Sequence, residues 1–337
     1  MQSRPYWPAH RWCANLLEGV EVDGLVYLFP GQGAQKVGMG RDLCAQSPAA
    51  QAVFAEADQA LGLSLSQICF EGPAEILTDT INAQPAILAT SLAWYEMART
   101  AGAPSPRWVA GHSLGHFSAL VAAGALSLSD GVRLVRERGR ATKQAGQERK
   151  GSMAAVLKLD ALKLQTICEE VSRQTGQYVG IANDNAPDQI VISGDASAVE
   201  QASQLAVQAG AKRVIPLAVS GAFHTPLMAG AVSSLERATA AVNIRPPQIE
   251  VISNVTAQPL GTPDEIRADI VRQLTSPVRW VSVVETILRG GGKVFVEMGP
   301  GSVLTGLVKR IAPAVEAWSL DEANGLERLL ALRSSIG

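Results

Sequence analysis

Two short apolar runs, each ending in a glycine turn, constrain this chain more than any other feature: "LVYLFPGQG" from Leu25 and "RWVAGHSLG" from Arg107. An unbroken apolar run stopped by Pro or Gly reads as a strand buried on both faces, the habit of strands in a parallel sheet. Helical patterns fill about Ala49 to Leu61 and Pro85 to Ala101, and a further one follows the second run from about Leu114 to Gly124. Strands alternating with helices predict an α/β fold whose parallel sheet carries helices on both faces. With 337 residues, 47% of them hydrophobic, the chain can bury the core that such a sheet needs.

From Gly151 the pattern changes. "SMAAVLKLD", a helix near Ala161 to Thr175, "YVGIAND", "DQIVISGD", a helix near Ala196 to Ala209 and "AKRVIPLAV" follow one another. That order, β-α-β-β-α-β, predicts a ferredoxin-like unit inserted into the first fold, which resumes after Val219 with strands such as "GKVFVEMGPG". The expected division is a linker or extension over 1–24, an α/β core over 25–150 and 219–320, the inserted unit over 151–218, and a C-terminal tail over 321–337.

A formal charge of −2 gives no global attraction to nucleic acid or to an anionic membrane, so neither is an expected partner. No apolar run is long enough for a secretory signal or a membrane span, and a cytoplasmic location is expected. Cys13, Cys44, Cys69 and Cys168 lack the spacing of a zinc site or a disulfide framework and are expected to be reduced and mostly buried.

Gly111-His112-Ser113-Leu114-Gly115 fits G-x-S-x-G, in which a sharp strand-to-helix turn exposes a serine hydroxyl where a larger neighbour would collide. Such a serine needs a base, and the chain has four histidines: His10, His112, His116 and His224. His10 lies in the extension, and the elbow should turn His112 away from Ser113. His116, one helical turn on, is a candidate pocket residue. His224, in "VSGAFHTPLM" at the end of an apolar strand, is the candidate base. No acid is singled out to orient it, so a dyad completed by another acceptor, such as a backbone carbonyl, is expected.

The segment "SDGVRLVRERGRATKQAG" reads as a helix starting at Ser129 or Asp130. On a helical wheel Arg133, Arg136 and Arg140 cluster as a solvated face, while Arg138 falls between Leu134 and Val135 on the apolar side. A buried guanidinium needs an anion for its fork. Two partners remain open here: an internal Asp or Glu, or a substrate carboxylate.

"FPGQGAQKVGMG", "GHSLGHFSALVAAGALSLSDGVRLVRERG", "SGAFHTPLM", "VRQLTSPVRW" and "VEMGPGSVLTGLVKRI" together resemble the malonyl-CoA:acyl carrier protein transacylases of fatty acid synthesis and the acyltransferase domains of polyketide synthases. The likeness runs from about Leu25 to Ile311. It implies a hydrolase-like core with an inserted ferredoxin-like subdomain. It further implies that Ser113 is the acyl-accepting nucleophile, His224 its base, and Arg138 the holder of a malonyl carboxylate. Gln32 and Leu114 match the oxyanion-hole amides, and Gln273 the residue whose main-chain carbonyl orients the histidine. Asn183 matches a family asparagine near the pocket, and Phe223-His224 resembles the Phe-His pair associated with malonyl rather than methylmalonyl selection. His116 departs from the family, where many relatives carry Glu or another polar residue.

The function so implied is malonyl transfer from malonyl-CoA to the phosphopantetheine thiol of an acyl carrier protein through an acyl-serine, for fatty acid or polyketide synthesis. No bound cofactor or metal is implied. The expected partners are malonyl-CoA, a carrier protein and, as further candidates, polyketide synthase modules. An acidic carrier would meet a basic rim formed by Arg133, Arg136, Arg140 and Lys143. The alternative is an acyl hydrolase that clears carrier proteins with the same serine and histidine but needs no carboxylate clamp.

Overall fold

The computed structural model describes residues 22–219 and 221–333, so His10, Cys13 and nearly all of the expected extension lie outside the described residues. Ten strands form two sheets: β1 (Leu25–Phe29), β2 (Trp108–Gly111), β3 (Gly151–Leu157), β4 (Val179–Ala186), β5 (Gln189–Asp195), β6 (Arg213–Pro216), β7 (Glu250–Ile252), β8 (Pro259–Leu260), β9 (Val294–Glu297) and β10 (Glu316–Ser319). The larger sheet has the order β10-β9-β1-β2-β7-β8 and is parallel except at the β7–β8 edge. Its first strand explains the unbroken apolar run. Leu25, Tyr27 and Phe29 enter one buried cluster and Val26 and Leu28 enter another on the opposite face, so every side chain is covered.

The second sheet has the order β4-β5-β3-β6, antiparallel throughout, with two helices on one face. Its chain order is the β-α-β-β-α-β read from the sequence. The other face carries Met153, Ala155, Ala182 and Val191, which pack against Leu217, Val219 and Phe223. The two units are sewn together: the Val278 N–H donates to Ala182 O and the Asp184 N–H to Val278 O, both at 2.9 Å.

Three differences from the sequence reading have plain causes, and a fourth lies near the C-terminus. The helix expected from Pro85 spans Thr80–Thr100, because Asp79 caps it by accepting from the Ile81 N–H, and Pro85 sits inside the second turn. The helix expected from Ser129 spans Leu128–Glu148, because the Ser127 hydroxyl accepts from the Asp130 N–H. The strand ending near Val219 stops at Pro216. Part of the expected C-terminal tail is a helix, Gly325–Ala331, whose Leu329 is buried in the main core.

Candidate active site

Ser113 follows β2 at the carboxyl end of the parallel sheet, where loops from neighbouring strands converge. Its φ of 51° lies in the left-handed region, a cost of about 1–2 kcal/mol for a non-glycine residue. The flanking glycines make the elbow possible. A side chain at Gly111 would run into the Gly115 backbone, and one at Gly115 into the Phe29 carbonyl. That packing presses the elbow onto the loop after β1, and the His112 N–H donates to Phe29 O at 3.1 Å.

His224, also left-handed with φ 60°, lies in the irregular segment before the short turn Pro226–Met228, well beyond the end of β6 rather than at a strand end. Its Nε2 is 2.7 Å from Ser113 Oγ and its Nδ1 is 2.9 Å from the main-chain oxygen of Gln273. A carbonyl only accepts, so Nδ1 carries the proton and Nε2 offers its lone pair to the serine O–H. Burial, and then the positive charge of Arg138, push the His224 pKa down to about 3, against the pull of the Gln273 carbonyl. The imidazole is therefore a neutral base across the physiological range.

Arg138 is the centre of the electrostatics. Its side chain is 4% exposed, and burial lowers its pKa to about 10, so the charge persists at neutral pH. Nη1 donates to Gln84 Oε1 at 2.9 Å, and Nη2 to Ser113 Oγ at 3.2 Å and to Gln273 Oε1 at 3.4 Å. Phe117 lies beneath it, 5.5 Å from ring centre to guanidinium. No Asp or Glu pairs with it among the described residues, and Nε has no partner there. Of the two partners left open by the sequence, the internal acid is absent among the described residues. Gly139 brings Gln84 into reach, because a side chain there would strike the Thr80 carbonyl of the facing helix.

Gln32 lies in the loop after β1, with its side chain on Thr80 Oγ1 at 3.1 Å. Neither its N–H nor that of Leu114 donates to any protein partner among the described residues, which leaves two amides free near the elbow. Phe223 is half-buried where the main core meets the inserted unit. Asn183 is buried in β4 at a break in its register with β5 and makes no side-chain hydrogen bond among the described residues.

His116 is not in the position expected of a pocket residue. It is fully buried, with Nε2 3.1 Å from Asp269 Oδ2, and among the described residues its side chain forms no hydrogen bond with Ser113, His224 or Arg138. His112 turns away as expected, with Nε2 2.7 Å from Asn185 Oδ1. The basic rim is largely compensated: Arg133 is 3.9 Å from Asp130, Arg140 3.7 Å from Glu137 and Lys143 2.5 Å from Asp79. Arg136 is half-buried rather than solvated, and its Nη1 lacks a partner among the described residues.

Two residues escaped the sequence reading. Asn254 is buried beyond β7, where its Oδ1 accepts from the Ser113 N–H at 2.9 Å and its Nδ2 donates to Gly111 O at 2.8 Å, straddling the elbow. The other is Gln84. The only signal for Asn254 was a polar residue two positions past the short strand "EVI", the position that Ser113 holds after β2.

A serine polarised by a neutral imidazole, beside two free amides and an uncompensated cation, can attack an acyl carbon whose other end is an anion. The chain matches the family model of the acyl transferase domain over residues 26–320. It is 45% identical over 303 residues to the malonyl CoA-acyl carrier protein transacylase of Bacillus subtilis (strain 168), covering 90% of this chain and 95% of that protein. The crystal structure of acyl-carrier-protein-S-malonyltransferase from Bartonella henselae superposes with a TM-score of 0.88 at 44% identity, covering 92% and 99% of the two chains. A malonyl-transacylase solved in complex with its type II PKS acyl-carrier protein superposes with a TM-score of 0.88 at 39% identity, covering 91% and 99%. The α/β fold, the elbow serine with its histidine and these likenesses agree, and the chain belongs to the acyl transferase domain family.

Proposed function

We propose that this chain is a malonyl-CoA:acyl carrier protein S-malonyltransferase serving fatty acid or polyketide synthesis. The observation that carries the reading is the buried Arg138 guanidinium, without an acidic partner among the described residues, 3.2 Å from a serine oxygen that is itself bonded to a neutral histidine. Relatives named as malonyl transacylases over nine-tenths of the chain support it.

His224 Nε2 takes the proton of Ser113 Oγ as Oγ bonds to the thioester carbon of malonyl-CoA. The carbonyl oxygen becomes an oxyanion and rests on the Gln32 and Leu114 amides, donors of a kind worth about 3–4 kcal/mol in the transition state. Collapse breaks the carbon–sulfur bond, the proton on His224 passes to the leaving coenzyme A thiolate, and malonyl-Ser113 remains. The phosphopantetheine thiol of the carrier protein then gives its proton to His224, attacks the ester and leaves as malonyl thioester while Ser113 recovers its proton. Arg138 holds the malonyl carboxylate in both halves, and Phe223 bounds the acyl pocket. Asn183 is given a lesser place at its edge.

The chemistry draws on substrates rather than on a resident cofactor. The reading includes a hydrolase-like core over 25–150 and 219–320 around a ferredoxin-like subdomain over 151–218, working in the cytoplasm. No helix among the described residues is long and apolar enough to cross a membrane. The alternative of an acyl hydrolase gains nothing from the comparisons and leaves the charge of Arg138 without a use.

Intact mass after incubation with malonyl-CoA, then with carrier protein, tests the proposal. A malonyl adduct absent from Ser113→Ala and passed to the carrier is the expected result. Rapid release of free malonate, with nothing passed on, would replace transfer with hydrolysis.

A further inference from the structure

The Arg138 guanidinium is fixed without being neutralised. Its acceptors are Gln84 Oε1, Gln273 Oε1 and Ser113 Oγ, all uncharged, and both glutamines are fully buried. The Gln273 amide has one possible orientation. Its Nε2 donates to Ser113 O and to Asn254 Oδ1, each at 3.1 Å, so the oxygen must face the arginine. Gln84 is different, because its Nε2 has no partner among the described residues.

A glutamate of the same shape at position 84 would therefore break no hydrogen bond and would gain a buried, charge-assisted pair with Arg138. Local stability favours the acid, yet the chain carries the amide. With an acid at 84 or 273 the guanidinium would arrive at the substrate already paired. With amides at both, the charge stays available, and only an acyl group that brings its own carboxylate satisfies it.

We propose that Gln84 and Gln273 are specificity-determining residues: their neutral oxygens aim the Arg138 fork while leaving its charge uncompensated, so that the acyl group loaded on Ser113 must supply the anion. This rests on the malonyl-transfer reading and deepens it by assigning acyl choice to the holders of the arginine as well as to the arginine.

The test is competitive self-acylation of the full chain with equal malonyl-CoA and acetyl-CoA, read as the ratio of adduct masses, beside thermal unfolding of each unloaded variant. Gln84→Glu is expected to lower the malonyl-to-acetyl ratio by at least about tenfold and to raise the melting temperature. Gln84→Met, which removes the oxygen but adds no charge, is expected to load more slowly and still prefer malonyl. Should Gln84→Glu not fold, Gln84→Asp brings the same charge toward Arg138 on a side chain one methylene shorter, and the same fall in the malonyl-to-acetyl ratio is expected, whereas an unchanged ratio overturns the inference.

A folded Gln84→Glu that keeps the wild-type ratio overturns the inference. So does a Gln84→Met that loses malonyl preference as fully as Gln84→Glu, since the amide would then act through shape. Absence of malonyl preference in the wild type would instead defeat the malonyl-transfer reading itself.

Discussion

Replacing Arg138 by methionine removes a charge that the native fold holds against a desolvation penalty. Burial lowers its pKa from the ordinary guanidinium value to about 10, a difference that corresponds to about 3 kcal/mol of native-state destabilisation. A base held below its ordinary value binds its proton less firmly folded than unfolded. The penalty is therefore complete below about pH 10 and fades only as the pH climbs toward the ordinary guanidinium value. Against that gain, the exchange strands Gln84 Oε1 and Gln273 Oε1 without their donor, at about 1 kcal/mol each. The balance is a protein about 1 kcal/mol more stable, or about 1–2 °C in melting temperature for a chain of this size. Function moves the other way. Loss of a bidentate charged pair to the malonyl carboxylate removes about 3 kcal/mol, roughly a hundredfold in malonyl loading, with acetyl loading equal or faster. Thermal unfolding of the unloaded protein and adduct masses with the two thioesters measure both halves. A variant that is less stable than wild type and still prefers malonyl-CoA would refute the reasoning, because the guanidinium would then be a structural member.

Acetyl transfer, chosen because its acyl group does not itself titrate, should show no acid limb near pH 6.5. The depressed His224 stays neutral until the pH approaches about 3, and Arg138→Met should move that limb upward by removing the second cause of the depression. Asn254→Ala frees the elbow backbone. The expectation is a fall of about ten- to a hundredfold in kcat for malonyl transfer with KM nearly unchanged, whereas a loss confined to melting temperature would make the residue structural only. On the basic face, Arg136 is the member without an ion pair among the described residues, so Arg136→Glu should raise KM for the carrier protein while sparing self-acylation from malonyl-CoA. Equal loss of both steps would remove that face from carrier docking.

How far the chain could be read from its residues varied with the kind of signal. β1 and Ser113 were legible because continuous apolarity and paired glycines are local statements. Arg138 was legible because a helix wheel needs only periodicity. His116 misled because the three-residue rule holds within a helix, and Ser113 is not in one. The helix begins at Gly115, after a left-handed residue, so the face of His116 points to Asp269 in the core. Gln84 was hidden by its neighbour. With a helix expected to start at Pro85, Gln84 fell in a loop, and only the Asp79 cap adds the turn that carries it. Asn254 and the carbonyl of Gln273 meet the elbow from far along the chain, a closure that no local pattern records.

The seam between the two sheets bears on how chimeras of this chain would behave. Val278 is laddered to β4 a few residues after Gln273, and His112, immediately before the nucleophile, is tied to Asn185 at the end of the same strand. The smaller unit thus grips the chain beside both Ser113 and the residue that holds His224. Transplanting that unit from a relative to alter acyl choice would reset the spacing of serine and histidine unless the graft kept Asn185 and the register at Ala182 and Asp184. As an exchangeable part, the smaller unit is therefore matched to the Val278 of its host, and the two must be kept as a pair.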